Sequence, residues 1–134
     1  MDYQVSVVGG GISGALAALY LGKSRVKTCL IDRGKPSQRL SNPYIGKTTS
    51  LNLSSIASLR DVGIWEDIKK NAQEFNEIYV WDAEGSSSVQ FKAEEISRND
   101  LGVIVHNNII LESIYSKLEQ ISEVTLIAVS YTHL

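Results

Sequence analysis

Gly9-x-Gly11-x-x-Gly14, with an acid further on at Asp32, is the set of residues whose types and spacing point to chemistry. That chemistry is the holding of a diphosphate and a ribose, not the breaking of a bond. In such a turn Gly9 permits the tight reversal, Gly11 lets the backbone approach a pyrophosphate, and Gly14 lets helix and strand pack closely. The N–H groups near Ile12, Ser13 and Gly14 lack partners inside a helix that starts there, and the positive end of its dipole favours an anion. Asp32 follows the last glycine at roughly the 20-residue spacing of a carboxylate that accepts from an adenosine ribose.

The weight of this pattern depends on the elements that must position it. Tyr3 to Val8 predicts a first strand, Ile12 to Leu21 a helix directly after the glycines, and Val26 to Asp32 a second, buried strand. A plain glycine-rich turn has no need of that strand–turn–helix–strand–acid order, so a dinucleotide site is the better reading.

Beyond Asp32, Gly34 to Gly46 carries Pro36 and Pro43 and reads as a surface loop. Leu51, Ile56, Leu59 and Val62 give Thr48 to Val62 a helical rhythm, which stops at Gly63. Glu66 to Ala72 adds a short helix. Ile78 to Trp81 and Val89 to Phe91 are β-rich runs on either side of a polar Asp82 to Ser88 segment, and together they predict a hairpin. Leu101 to Val105 is another short apolar run. Ile110, Ile114, Leu118 and Ile121 predict a helix over Asn108 to Ile121 with one buried stripe, and Val124 to Val129 predicts a strand. A doubly wound nucleotide fold alternates strand and helix without interruption. Here a helix and a hairpin intervene before the third strand, so the chain is expected to leave the nucleotide domain, supply part of a second sheet, and return.

The totals bound the rest. The 134 residues make one ordinary domain, and 43% hydrophobic content suits a packed core. A net charge of −2 offers no basic surface for nucleic acid. Cys29 is the only cysteine; it lies mid-strand among apolar residues and reads as a small core side chain in a reducing compartment. No run is apolar enough to span a bilayer, and the first strand starts too near Met1 for a targeting segment, so a cytoplasmic location is expected.

With these blocks in place, the sequence resembles the flavin-dependent aromatic hydroxylases (class A flavoprotein monooxygenases), and within them the ubiquinone-biosynthesis hydroxylase family. The likeness runs from Tyr3 to about Ala128. Its blocks are the glycine fingerprint with Asp32-Arg33, then Lys47-Thr-Thr-Ser-Leu51 through Val62-Gly63-Ile-Trp65, then Asp100-Leu-Gly-Val-Ile-Val-His-Asn-Asn108 before a helix. The last block is the specific one; it is similar to the Leu-Gly-Tyr-Ile-Val-Glu-Asn segment of the ubiquinone branch.

The resemblance implies an α/β fold: a Rossmann-like, glutathione-reductase-type FAD-binding β-α-β core, truncated, with a β-hairpin excursion that begins a second, substrate-domain sheet. It implies FAD, NADPH or NADH as electron donor, and insertion of one oxygen atom from O₂ into a phenolic ring. Carried over by position, Gly9, Gly11, Ile12, Ser13 and Gly14 would hold the diphosphate, Asp32 the ribose, and Arg33 the adenine side. Lys47 stands where the family has an arginine near the flavin's phosphate or ribityl region; lysine keeps the charge and loses the bidentate fork. Asn107 would bond the cofactor chain from the start of the helix, and His106, replacing a glutamate, reads as a supporting or surface residue. The catalytic residues are unknown and no metal site is expected. The substrate implied is a small aromatic, polyprenylated phenol, with peripheral association at the inner membrane face or in a biosynthetic complex.

The domain reading is residues 1–75 as the N-terminal part of the FAD-binding domain, 76–105 as the β excursion, and 106–128 as the return helix and third strand. Residues 129–134 are read as a non-native tail, similar to translated adapter sequence. The second Gly-Asp flavin motif and most of the substrate sheet are not encoded here, so the 134 residues alone are expected to bind FAD poorly and not to hydroxylate. The rival readings are another FAD-dependent oxidoreductase of amine oxidase or dehydrogenase type, a non-redox binding protein on the same scaffold, such as the Rab GDP-dissociation inhibitors, and a plain NAD-binding domain. The hairpin argues against the last.

Overall fold

The computed structural model describes residues 2–33 and 46–130. Strand β1, Val5–Val8, enters the glycine turn, and helix α1, Ile12–Lys23, leaves it. Strand β2, Thr28–Arg33, lies parallel to β1 with Val5 opposite Thr28 and Val8 opposite Ile31. Helix α1 ends in a Schellman-like turn, in which the Arg25 N–H donates to Gly22 O and the Val26 N–H to Leu21 O. Arg25 takes the left-handed conformation at φ 64° that this turn requires. The chain is thereby reversed directly into β2.

After β2 the described chain resumes at Gly46. Strand β3, Thr48–Asn52, runs into helix α2, Leu53–Asp61, and helix α3, Trp65–Lys69, follows. Strand β4 is Gln73–Phe75, and β5, Glu77–Trp81, and β6, Ser88–Lys92, form the predicted hairpin. A 3₁₀ turn over Ala93–Ile96 leads to β7, Gly102–His106, then helix α4, Asn107–Leu118, and strand β8, Val124–Val129.

Among the described residues these strands make three sheets. The first is parallel in the order β1-β2-β8, with Thr28 opposite Val124 and Arg33 opposite Val129. The second is antiparallel in the order β3-β7-β4, and the third is the β5-β6 hairpin. The third strand of the nucleotide sheet is therefore β8, reached only after the chain has built the other two sheets. One apolar core joins Ala15, Ala18 and Leu19 of α1 and Leu30 of β2 to Ile110, Ile114 and Leu118 of α4. It continues through Leu59, Trp65 and Ile68 to Val103 and Val105 of β7. Cys29 is buried in β2 against Ser6, as a core residue would be.

The helical expectation for 48–62 is corrected at its first third. Residues 48–52 are a strand, because Thr48 and Thr49 are β-branched and each residue of the run finds a partner on β7. Leu51 is buried as a strand residue. The helix begins one residue after Asn52, whose side chain accepts from the Ser55 N–H at 2.9 Å as an N-cap. The apolar run at 101–105 is realised as β7, shifted by one residue, and it is the central strand of the second sheet. The short helix expected at 66–72 is α3, earlier by one residue and shorter. The short strand β4 has no clear sequence signal. The expected loop at 34–46 falls outside the described residues, apart from Gly46, as do the tail residues 131–134.

Candidate functional site

The glycine turn is held from both ends of its own backbone. Gly9 has φ 105°, a region that favours glycine, and its N–H donates to Ile31 O at 2.8 Å across the two strands. Gly11 is the N-cap of α1 and contributes no side-chain cap, and the first turn of that helix contains no acid. A Cβ built on Gly11 would meet nothing within 4 Å, so the space over the turn is open where a diphosphate would approach. Gly14 is required for the opposite reason, because a Cβ there would run into the Gly9 carbonyl oxygen. Ile12 and Ser13 are the first two residues of α1, the former half-buried and the latter exposed.

Asp32 stands near the carboxyl end of β2, half-buried, with Oδ2 accepting from the Gly10 N–H at 2.6 Å and Oδ1 accepting from the Arg33 N–H. The carboxylate is thus fixed at the turn by both of its oxygens. Arg33 is exposed at the end of β2.

A second cluster forms where β7 passes into α4. Asn107 opens α4, its N–H donates to Lys47 O at 2.9 Å, and its Oδ1 accepts from the Thr49 hydroxyl. Lys47 is exposed just ahead of β3, and the half-buried His106 caps the helix opposite Thr48. The two clusters are joined by α4 itself. Tyr115, 5% exposed, donates from its hydroxyl to Gly10 O at 2.8 Å. At 1.5 Å per residue, the helix start at Asn107 lies about 12 Å along the axis from Tyr115. The fold therefore brings Gly9, Gly11, Ile12, Ser13, Gly14 and Asp32 together at one end of this ruler and Lys47 and Asn107 at the other.

Tyr115 and Thr49 are the residues that sequence reasoning missed. Tyr115 had a signal: it lies four residues after Leu111 on the buried side of α4, and a tyrosine buried there needs a partner for its hydroxyl. Among the described residues no group of three or more His, Cys, Asp or Glu side chains is placed to hold a metal ion.

The comparisons bear on which dinucleotide this is. The family model described as "FAD binding domain" matches residues 2–128. The chain belongs to that family. The ubiquinone biosynthesis monooxygenase COQ6 of Dictyostelium discoideum, a mitochondrial protein, is 30% identical over 140 residues, covering 92% of this chain and 28% of that protein. Human COQ6 is 31% identical over 128 residues, covering 90% of this chain and 27% of its own length. Among solved structures, Pseudomonas aeruginosa PqsL in complex with 2-aminobenzoylacetate superposes with a TM-score of 0.73 at 16% identity. That likeness covers 94% of this chain and 33% of PqsL, and it shows the fold. The chain thus spans less than a third of the length of these proteins. FAD is the cofactor of the family, and the open diphosphate turn, the uncapped helix start and the anchored Asp32 fit its adenosine diphosphate half. No helix among the described residues is long and apolar enough to cross a membrane.

Proposed function

We propose that these residues are the FAD-binding N-terminal portion of a longer monooxygenase that hydroxylates a phenolic ring of the ubiquinone-precursor type, using NADPH or NADH and O₂. The observation that carries this reading is the likeness to COQ6 over 92% of the chain, and the family match over residues 2–128 includes both the glycine turn and the β7–α4 junction. In it, Gly9, Gly11, Ile12, Ser13 and Gly14 bind the diphosphate through backbone N–H groups and the helix dipole. Asp32 accepts from the ribose, Arg33 flanks the adenine, and Lys47 and Asn107 hold the chain leading to the flavin. FAD, once bound, supplies the oxygen chemistry; the protein orients the cofactor and keeps water from the reacting region. The chain divides at 75/76 and 105/106 into nucleotide portion, excursion and return, with β7 of the excursion pairing back to β3 and β4 of the first portion, and with Val129 still paired in β8. A polyprenylated phenol is the substrate class this reading favours, and such a substrate would bring the enzyme to a membrane surface or a biosynthetic complex.

The test is to express the complete protein and follow NAD(P)H oxidation with and without a prenylated phenol under ¹⁸O₂. Substrate-dependent oxidation with one labelled oxygen in the ring supports the reading. A yellow protein that oxidises NAD(P)H without labelling any phenol favours a different FAD oxidoreductase, and a colourless one favours a binding protein. The 134 residues alone are expected to show no such turnover, because most of the sheet that would shield the reacting ring is not among them.

A further inference from the structure

Gly10 is the glycine that the fingerprint does not require, yet it is the most enclosed residue of the turn. It is buried, and a Cβ there would collide with both the Tyr115 hydroxyl and Asp32 Oδ2. Its two backbone groups are both taken: the N–H donates to Asp32 and the C=O accepts from Tyr115 at 2.8 Å. The second of these bonds has a directional consequence. The Gly10 carbonyl and the Gly11 N–H belong to one planar peptide unit, and no described peptide is cis. In a trans unit the two point in opposite directions. Drawing the Gly10 oxygen inward to Tyr115 therefore turns the N–H of the exposed Gly11 away from Tyr115.

We propose that Tyr115 is a positioning residue for the cofactor: its buried hydroxyl sets the direction in which the Gly11 N–H meets the diphosphate. This rests on the reading of the turn as a FAD site. Tyr115 comes from α4, 105 residues after Gly10, so the phosphate turn takes its final shape only once the excursion has returned and α4 has docked on α1. Without the hydroxyl the Gly10 carbonyl loses the bond that sets the direction of the Gly10–Gly11 peptide, and the donor to the diphosphate is less well aimed while the ring still fills its place in the core. Pre-orientation of this kind acts on binding rather than on the fold alone.

The experiment is Tyr115→Phe in the complete protein, with dissociation constants for FAD by flavin fluorescence quenching and for ADP by calorimetry. Ile114→Val on the same helix reports what destabilising α4 does by itself. One hydrogen bond to the turn predicts that Tyr115→Phe weakens FAD and ADP by the same factor, about five- to tenfold. Ile114→Val is expected to lower the thermal midpoint and leave both constants unchanged. Tyr115→Phe binding both ligands as tightly as wild type would overturn the inference, as would equal weakening by Ile114→Val. A wild-type protein that binds neither FAD nor ADP would overturn the site reading itself, and this inference with it.

Discussion

Ile114 on α4 and Val80 on β5 are both aliphatic residues central to their elements, and their surroundings are opposite. Ile114 is fully buried in the apolar core, whereas Val80 remains 49% exposed. The hairpin's register explains the second case. Ile78 lies opposite Phe91 and Val80 opposite Val89, so one face is wholly apolar, while Tyr79 and Trp81 share the other with Gln90 and Ser88. All six of these hydrophobic side chains are substantially exposed, Trp81 at 65%. A lone two-stranded ribbon has little stability of its own. The glycine turn, by contrast, is closed by residues drawn from β2, α1 and α4. The difference marks which part of the chain is folded by its own contacts: the glycine turn is closed within these residues, and the excursion presents surface.

The sharpest way to break that comparison is a pair of truncations. Ile114→Ala is expected to cost about 2–5 kcal/mol, because it empties a site that the packed neighbours cannot refill. Val80→Ala, in these 134 residues, is expected to change stability by less than about 0.5 kcal/mol, as a substitution on exposed surface. Urea midpoints of the two variants measure the contrast. Equal losses would mean the hairpin is covered in solution by something the fold does not reveal. In the complete protein Val80→Ala should become more costly if further strands pack on the apolar face.

A smaller but more local effect is expected at the turn. Gly14→Ala places a methyl group against the Gly9 carbonyl, a backbone atom that has no rotamer through which to retreat. Overpacking of this kind costs about 1–3 kcal/mol. It should also abolish FAD binding in the complete protein, because relief requires α1 to move away from β1 and with it the N–H groups that meet the diphosphate. Flavin retention on gel filtration checks it. Retained flavin would show that the strand–helix approach is looser than the geometry indicates.

How legible these regions were in the sequence follows the same division. The turn could be read because its residues act through their own backbone and through local spacing: glycines, a helix start, and an acid at a fixed distance. The hairpin could be read because its alternation is local as well. Residues 48–52 could not, since Leu51 fits the apolar rhythm of the following helix, and only pairing with β7, 50 to 58 residues away, decides for a strand. Asn52 was the local clue, a capping residue placed after Leu51 and not before Thr48. The role of Tyr115 was beyond local reading, because its partner lies at the other end of the chain. The specificity of the β7–α4 block came from resemblance, and the structure supplies its physical content in the contacts of Asn107 with Thr49 and Lys47.

Asn52 itself offers the next measurement. Asn52→Ala removes the acceptor for the Ser55 N–H and is expected to cost about 1 kcal/mol. Asn52→Asp should restore most of that loss, since a carboxylate accepts the same bond and suits the helix dipole. Full stability of the alanine variant would show that β3, through its pairing to β7, holds the start of α2 without help.

The smallest effect concerns the seam where α1 ends and β8 begins. The Arg25 guanidinium donates to Glu123 at 2.7 Å, and this bond, with one from the Ser122 hydroxyl, holds the Glu123 carboxyl below its ordinary value. A carboxylate with a lowered folded-state pKa stabilises the fold above its unfolded pKa. That contribution is lost as pH falls through the lower, folded value. The Arg25 side chain is largely in solvent although Glu123 is half-buried, so the contribution is slight and screened by salt. Wild type should therefore lose a little stability between neutral and acidic pH that Glu123→Gln does not lose, and the two should converge at low pH. Urea midpoints across that range at low and high salt make the comparison. A large gap between the two proteins at neutral pH that closes in acid would mean that β8 is held to the nucleotide sheet by charge. The buried contacts of Leu30 and Ile114 predict instead that the closed half of the molecule is held by packing, with the ion pair only trimming the edge where the third strand is laid down.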